Sequence, residues 1–195
     1  MVPISSRRHF LEGCSAVLVA PPVARALDSA FEPPYVKLHQ TGELRRRGDA
    51  LFDVMEDCRL CPRECGADRV DGEEGFCGAT ARLRVATSYA HYGEERSLVG
   101  SGGSGAVFFS HCSLRCVFCI NWEISQRGDG RDRDVDDLAA MMLELQERGC
   151  HNVNIVTPTH YSAPLVQALD VAAGKGLRLP LVYNTCGWER LEILQ

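Results

Sequence analysis

The chain has 195 residues, of which 45% are hydrophobic and 24% are charged, and its formal net charge is −5. This composition is typical of a globular protein with one good-sized domain and excludes a disordered chain. The net negative charge provides no basic surface for a phosphate backbone, so we expect no nucleic-acid partner. Ten cysteines are too many for a cytosolic protein without metals.

The first 30 residues resemble a twin-arginine export signal. Arg7 and Arg8 precede a modestly apolar stretch, Cys14–Ala20, and Ala24-Arg25-Ala26 has the form of a cleavage site. The stretch is too short to span a bilayer as a helix, and we expect no membrane span. The alternative is an ordinary start that contains two arginines. The protein is therefore expected in the cytoplasm or, if the signal is used, in the periplasm.

A short linker and a helix follow the signal segment. Phe31–Pro34 has the composition of a linker, and Thr41 is a candidate cap for a helix that runs through Asp57. This helix leads directly into the first group of cysteines.

The first cysteine group has the spacing of a closed metal site. Four thiols stand among glycine-rich turns, with few apolar residues to form a core: Cys58, Cys61, Cys65 and Cys77. Four thiolates complete the ligand shell of a zinc ion or an iron–sulfur cluster. Spacing alone does not choose between these two metals, and we favour iron–sulfur as an auxiliary cluster.

A strand over Arg82–Ala90 precedes a glycine-rich segment, Gly100–Gly105. The glycines match a dinucleotide-binding pattern, but that pattern requires a helix after the glycines, and here a strand follows. We expect a tight turn instead.

The second cysteine group lies directly after a buried strand, Ala106–Ser110. Cys112, Cys116 and Cys119 are close enough in sequence to bind one iron–sulfur cluster. They leave one iron without a protein ligand, and a reactive metal site keeps such a position open. Half of a zinc site and a fortuitous cluster are the alternatives. Cys150 and Cys186 stand alone and are expected to be buried structural residues.

The second half of the chain alternates strands and helices. This alternation predicts right-handed βαβ units with parallel strands, whose ligands bind at the carboxyl ends of the strands. The loops at Cys112, Thr157–Tyr161 and Asn184–Gly187 should therefore face one pocket. The predicted elements are a helix Val135–Arg148 capped by Asp134, a strand Asn152–Thr157, a helix from Ser162 to about Ala173, a strand Leu181–Asn184 and a helix from about Trp188.

Four segments together resemble the radical SAM superfamily, in the branch similar to pyruvate formate-lyase activating enzyme. They are CRLCPRECGADRVDGEEGFCG, SHCSLRCVFCINWEIS, NIVTPTHY and LVYNTCGWE. The resemblance implies an α/β fold with a partial (β/α) barrel and an N-terminal cysteine-rich metal-binding segment. Three βα units precede the end of the chain, so a barrel truncated after them is expected. The expected divisions are residues 1–30, 31–99 and 100–195.

The same resemblance implies the chemistry. Cys112, Cys116 and Cys119 would ligate a [4Fe–4S] cluster that binds S-adenosylmethionine, whose reductive cleavage yields a 5′-deoxyadenosyl radical that abstracts hydrogen from an unknown substrate. A flavodoxin- or ferredoxin-type donor would supply the electron, and a protein is one expected substrate. The alternative is an iron–sulfur electron-transfer or assembly protein without catalysis. Expected contacts with S-adenosylmethionine are Phe118, Asn121, Thr157, His160 and Asn184.

Two features limit the transfer from the family. Where the superfamily often has Gly-Gly-Glu, this chain has Pro158-Thr159-His160 after Thr157, and Ile120 stands next to Asn121 where glutamine is expected in this branch. His160 is either an acid or base at the pocket or a polar loop residue.

Overall fold

A mixed five-stranded sheet organises the chain. The computed structural model describes residues 31–194, so the predicted export signal in residues 1–30 lies outside the described residues. The strands are β1 (Arg84–His91), β2 (Ser104–Phe109), β3 (Arg131–Asp132), β4 (Val153–Val156) and β5 (Leu181–Asn184). Their order in the sheet is β3-β1-β2-β4-β5, and β2, β4 and β5 are parallel to one another.

β1 covers one edge of the parallel strands. It pairs antiparallel with β2 from Val85 to His91, and β3 pairs with its outer side. The sequence predicted β1 and β2 as strands but not their antiparallel pairing. An apolar parallel strand such as β2 would otherwise leave its backbone groups unpaired at the edge. The sheet therefore crosses the expected division between residues 99 and 100.

The helices of the described residues are short, apart from three. Their bounds are α1 (Pro34–Gln40), α2 (Glu43–Asp53), α3 (Arg96–Val99), α4 (Trp122–Ser125), α5 (Val135–Glu147), α6 (Ser162–Gly174) and α7 (Leu191–Leu194), with a 3₁₀ turn at Thr159–Tyr161. In residues 31–194 no helix combines the length and apolar character needed to cross a bilayer.

The main core lies between one face of the sheet and the helices. Val107 and Ile155 of the sheet are fully buried and pack in one cluster with Leu138 and Met142 of α5 and Ala168 of α6. This burial of apolar surface is the dominant stabilising contribution. α5 begins as predicted, because Asp134 and Asp137 form a reciprocal capping box.

Two predicted helix starts are wrong. Thr41 does not cap α2, because its hydroxyl donates to the carbonyl oxygens of Lys37 and Leu38 and so closes α1. Gly42, in the left-handed region at φ +73°, precedes α2 instead. Ser162 does not cap α6 either, since it is the first helical residue and its hydroxyl donates to Thr159 O at 2.7 Å.

The segment predicted as a linker also differs. Pro34 starts α1, as is common for proline in a first turn. Tyr35 and Val36 are buried in the core, which explains why this stretch is ordered. α2 ends at Asp53 rather than Asp57, and residues 54–83 contain no helix or strand.

Candidate functional site

The second cysteine group forms one loop at the carboxyl end of β2, which we call the cluster loop (residues 110–121). The backbone of the loop is held at both ends. His111 N donates to Ile124 O at 2.9 Å, Gln126 Nε2 donates to Cys116 O at 2.7 Å, and Cys119 N donates to the same oxygen at 3.2 Å. Short α4 thus fixes the loop against the end of the sheet.

The three thiols of the cluster loop are half-buried and belong to no disulfide. Ser125 Oγ donates to Cys119 Sγ at 3.3 Å, and a hydroxyl of this kind stabilises a thiolate. The side chains beside Cys119 are exposed, with Val117, Phe118 and Ile120 exposed by 94%, 83% and 93%. Three soft ligands in one accessible loop fit an iron–sulfur cluster with an open position.

Backbone strain is concentrated near the cysteines and at the end of β4. Among residues 31–194, four residues other than glycine have positive φ: Glu64, His111, Arg115 and Thr157. Glu64 precedes Cys65, while His111 and Arg115 each precede a cysteine of the cluster loop. Thr157, at φ +49°, is β-branched, and this conformation is a genuine outlier for such a residue. Strain of this kind tends to occur at functional sites.

The first cysteine group, which we call the four-cysteine segment (residues 58–77), brings its thiols to one small space. Cys58, Cys61 and Cys77 are buried and Cys65 is exposed. A Cβ added to Gly75 would lie 3.4 Å from Cys65 Sγ and 3.5 Å from Cys77 Sγ. Burial raises the pKa of Cys61 and Cys77, and the nearby thiols act in the same direction.

Among residues 31–194 no group of three or more His, Cys, Asp or Glu side chains is set to hold one metal ion. Four thiolates complete the ligand shell of either a zinc ion or an iron–sulfur cluster, so the metal at the four-cysteine segment stays a prediction.

Arg69 lies buried beside the four-cysteine segment, with 1% of its surface exposed. Its Nε donates to Ala79 O at 3.0 Å, and its Nη2 donates to Thr80 O and His160 O, each at 2.7 Å. Its Nη1 lies 3.7 Å from Cys58 Sγ. No sequence motif indicates Arg69, because its neighbours in the chain are ordinary turn residues.

The four-cysteine segment packs directly on the cluster loop. Arg115 Nη1 donates to Phe76 O at 3.0 Å. The ring of His111 lies against Gly78, where a Cβ would come within 2.9 Å of His111 Nδ1. The guanidinium carbon of Arg115 also lies 5.7 Å from the centre of the Phe76 ring. The two cysteine groups are therefore neighbours.

His160 is buried below the cluster loop rather than exposed at a pocket. It is 2% exposed, and its Nε2 lies 2.8 Å from Ser110 O. Because this carbonyl accepts, Nε2 carries the proton and Nδ1 has no hydrogen-bond partner. Burial lowers the pKa of His160 to about 3. This geometry favours a structural role over an acid or base role, and direct contact with S-adenosylmethionine stays a prediction.

The other predicted contact residues lie at one edge of the sheet. Thr157 directly follows β4, and Asn184 is the last residue of the neighbouring strand β5. Thr157 N donates to Asn184 O at 2.8 Å. Phe118 is exposed on the cluster loop, and Asn121 precedes α4. The three predicted loops thus meet at the carboxyl ends of the parallel strands, where ligands bind in such folds.

Glu189 is a further residue at this edge that the sequence analysis missed. Its carboxylate accepts from Thr159 Oγ1 and Thr185 Oγ1, each at 2.5 Å. None of the ion pairs within residues 31–194 involves it. A carboxylate held by two hydroxyls and without a cation is suited to bind a cationic ligand.

Cys186 is half-buried next to Glu189. Its Sγ is 4.0 Å from Glu189 Oε1. Burial raises the pKa of Cys186, and the nearby Glu189 and Cys112 raise it further. The thiol expected to be an isolated structural residue is therefore a neighbour of Cys112.

The comparisons with known proteins agree with this geometry. Residues 106–195 match the radical SAM superfamily, so this part of the chain is a radical SAM domain. Over 74 residues the chain is 39% identical to the uncharacterised protein MJ0674 of Methanocaldococcus jannaschii, an alignment that covers 38% of this chain and 20% of that protein. The chain spans about a fifth of the length of the curated relative it matches. No solved structure matches.

Proposed function

We propose that the chain with this radical SAM domain is an iron–sulfur enzyme that reductively cleaves S-adenosylmethionine and uses the resulting radical to abstract hydrogen from its substrate. The observation that carries the proposal is the cluster loop. Cys112, Cys116 and Cys119 occupy a single short loop at the carboxyl end of β2, inside the matched domain. Three thiolates are one fewer than a closed cluster needs.

The residues of the chain have separate tasks in this proposal. The three thiolates would hold a [4Fe–4S] cluster, which supplies, when bound and reduced, the electron that cleaves S-adenosylmethionine. Ser125 donates to Cys119 Sγ and favours its thiolate form. Gln126 fixes the loop backbone through Cys116 O. These bonds hold the thiols in place before the ligand binds.

The ends of β4 and β5 would orient S-adenosylmethionine. Thr157 and Asn184 stand at adjacent strand ends, and Glu189 offers a carboxylate to the amino group of the ligand. The exposed ring of Phe118 is available for the adenine. The resemblance to pyruvate formate-lyase activating enzyme supports a glycine of a protein as substrate and a low-potential flavodoxin or ferredoxin as electron donor.

The test is cleavage of S-adenosylmethionine by the anaerobically reconstituted, reduced full chain. Wild type should release 5′-deoxyadenosine and methionine, and Cys116→Ala should release neither, because two thiolates do not retain the cluster. Cleavage by Cys116→Ala at the wild-type rate would contradict the proposal.

Cys186→Ala is the matched control. Cys186 is half-buried like Cys116 and lies near Cys112, but it is not a predicted ligand. The proposal expects this variant to keep its iron at the cluster loop and to cleave. Loss of that iron would show a fourth protein ligand and a closed cluster, and would favour the electron-transfer alternative.

A further inference from the structure

We infer that the four-cysteine segment holds a second iron–sulfur cluster and that the buried Arg69 guanidinium is its counter-ion. Neither the family match, which begins at residue 106, nor the proposed reaction assigns a role to this segment. The inference rests on residues 58–80 and on their contacts, so it is independent of the proposed function.

Arg69 is a buried cation without a carboxylate partner. It is 1% exposed, and none of the ion pairs formed within residues 31–194 includes it. Its three carbonyl acceptors pair with its Nε and Nη2 hydrogens but carry no net charge. A buried charge is costly unless an opposite charge lies close by. The groups beside Arg69 that become anionic when they bind a metal are the thiols of the four-cysteine segment.

The contact of Arg69 with the thiols is direct. Its Nη1 lies 3.7 Å from Cys58 Sγ, within hydrogen-bond range for sulfur. A Cβ added to Gly75 would also lie 3.5 Å from Arg69 Cδ, in the same space that Cys65 Sγ and Cys77 Sγ border. Arg69 therefore lies against the same small volume as the thiols.

A cluster bound by four thiolates supplies the missing negative charge. Such a centre is anionic in both oxidation states and gains one more negative charge on reduction. One guanidinium beside it offsets part of this charge and donates to a sulfur, and hydrogen bonds to the sulfurs raise the potential of a cluster.

The second cluster would be coupled to the cluster loop through Arg69. Arg69 Nη2 donates to His160 O, and His160 Nε2 donates to Ser110 O, two residues before Cys112. Arg115 and His111 add two more contacts between the segment and the loop. A substitution of Arg69 should therefore alter the structure around both cysteine groups.

The experiment isolates the second cluster in the full chain. The variant Cys112→Ala/Cys116→Ala/Cys119→Ala removes the ligands of the cluster loop. After anaerobic reconstitution we expect this variant to keep about four irons and about four sulfides per chain, with a signal in electron paramagnetic resonance after reduction. Adding Cys65→Ala, which changes an exposed residue, should remove most of this iron. About one zinc per chain, or no metal, would overturn the inference.

The role of Arg69 is tested by the reduction potential of this second cluster. Arg69→Met should shift the potential to a more negative value, because the lost cation stabilised the reduced state. Arg69→Lys should restore part of the shift. Arg59→Met is the control, since Arg59 follows Cys58 but is exposed and pairs with Asp57.

An unchanged potential in Arg69→Met, or an equal shift in Arg59→Met, would overturn the counter-ion role. The metal content of the triple variant decides the existence of the cluster even if Arg69→Met does not fold. If the wild type does not cleave S-adenosylmethionine, only the proposed function is contradicted. The second cluster is measured in the triple variant, which lacks the cysteines of the cluster loop.

Discussion

Arg69 Nη2 and His160 O form a 2.7 Å hydrogen bond between residues that are 91 positions apart in the chain. The bond joins the four-cysteine segment to the turn that follows β4. His160 then donates to Ser110 O at 2.8 Å, at the start of the cluster loop. Two buried side chains thus connect both cysteine groups to one edge of the sheet.

The buried ring of His160 predicts a dependence of stability on pH. Burial lowers its pKa in the folded state to about 3, whereas an unfolded histidine has a pKa of about 6.5. Between these values the unfolded state binds a proton that the folded state does not. The contribution of His160 is therefore fully present above pH 6.5 and is lost as the pH falls toward 3.

The measurement is the free energy of unfolding of the wild type and of His160→Asn across this pH range. The variant should be less stable at pH 7 by about 1–3 kcal/mol, because Ser110 O loses its donor. Its stability should also fall less steeply as the pH decreases. Parallel curves for the two proteins would show that His160 does not titrate in this way.

The carboxylate of Glu189 is predicted to strengthen the binding of S-adenosylmethionine. Glu189→Gln keeps the shape and most hydrogen bonds of the side chain but removes its charge. Loss of a charge-assisted hydrogen bond costs about 1.5–3 kcal/mol, so Kd should rise by about tenfold or more. Equilibrium binding of S-adenosylmethionine to the anaerobically reconstituted protein measures this.

Glu192→Gln is the matched control for Glu189→Gln. Glu192 lies three residues further along the chain and is exposed, and its partner is Arg190. Its change should leave Kd as in the wild type. If both variants bind as tightly as the wild type, Glu189 does not contact the amino group.

Gly78 and Gly72 form a matched pair for the contact between the two cysteine groups. Both have positive φ, +86° and +95°, so alanine strains the backbone at either position. Only at Gly78 does the new Cβ meet a neighbour, His111 Nδ1 at 2.9 Å. The ring of His111 has little room to move, because Gly128 also packs closely against it.

Gly78→Ala should therefore displace His111 and the adjacent Cys112, while Gly72→Ala should not. The free energy of unfolding and the iron bound at the cluster loop should both decrease more in Gly78→Ala than in Gly72→Ala. Equal effects in the two variants would mean that His111 does not transmit the change.

Local spacing predicted the parts of the fold that depend on neighbouring residues. β5 has the predicted bounds, and α5 begins after the predicted cap at Asp134. The cluster loop lies at the carboxyl end of β2, directly after the buried strand in the sequence. Its three cysteines are close in space because they lie within eight residues of one another. The predicted start of α2 was wrong because Thr41 lies at the end of another helix, α1. The burial of Tyr35 and Val36 stabilises α1.

The sequence by itself determined that the thiols form two compact groups, since their spacing is a local property of the chain. Only the tertiary structure decided how these groups relate to each other and to the sheet. The antiparallel pairing of β1, the burial of Arg69 against Cys58 and the position of Glu189 beside Thr159 all join residues distant in the chain. Such contacts depend on the packing of the whole fold, which no short pattern of residues encodes.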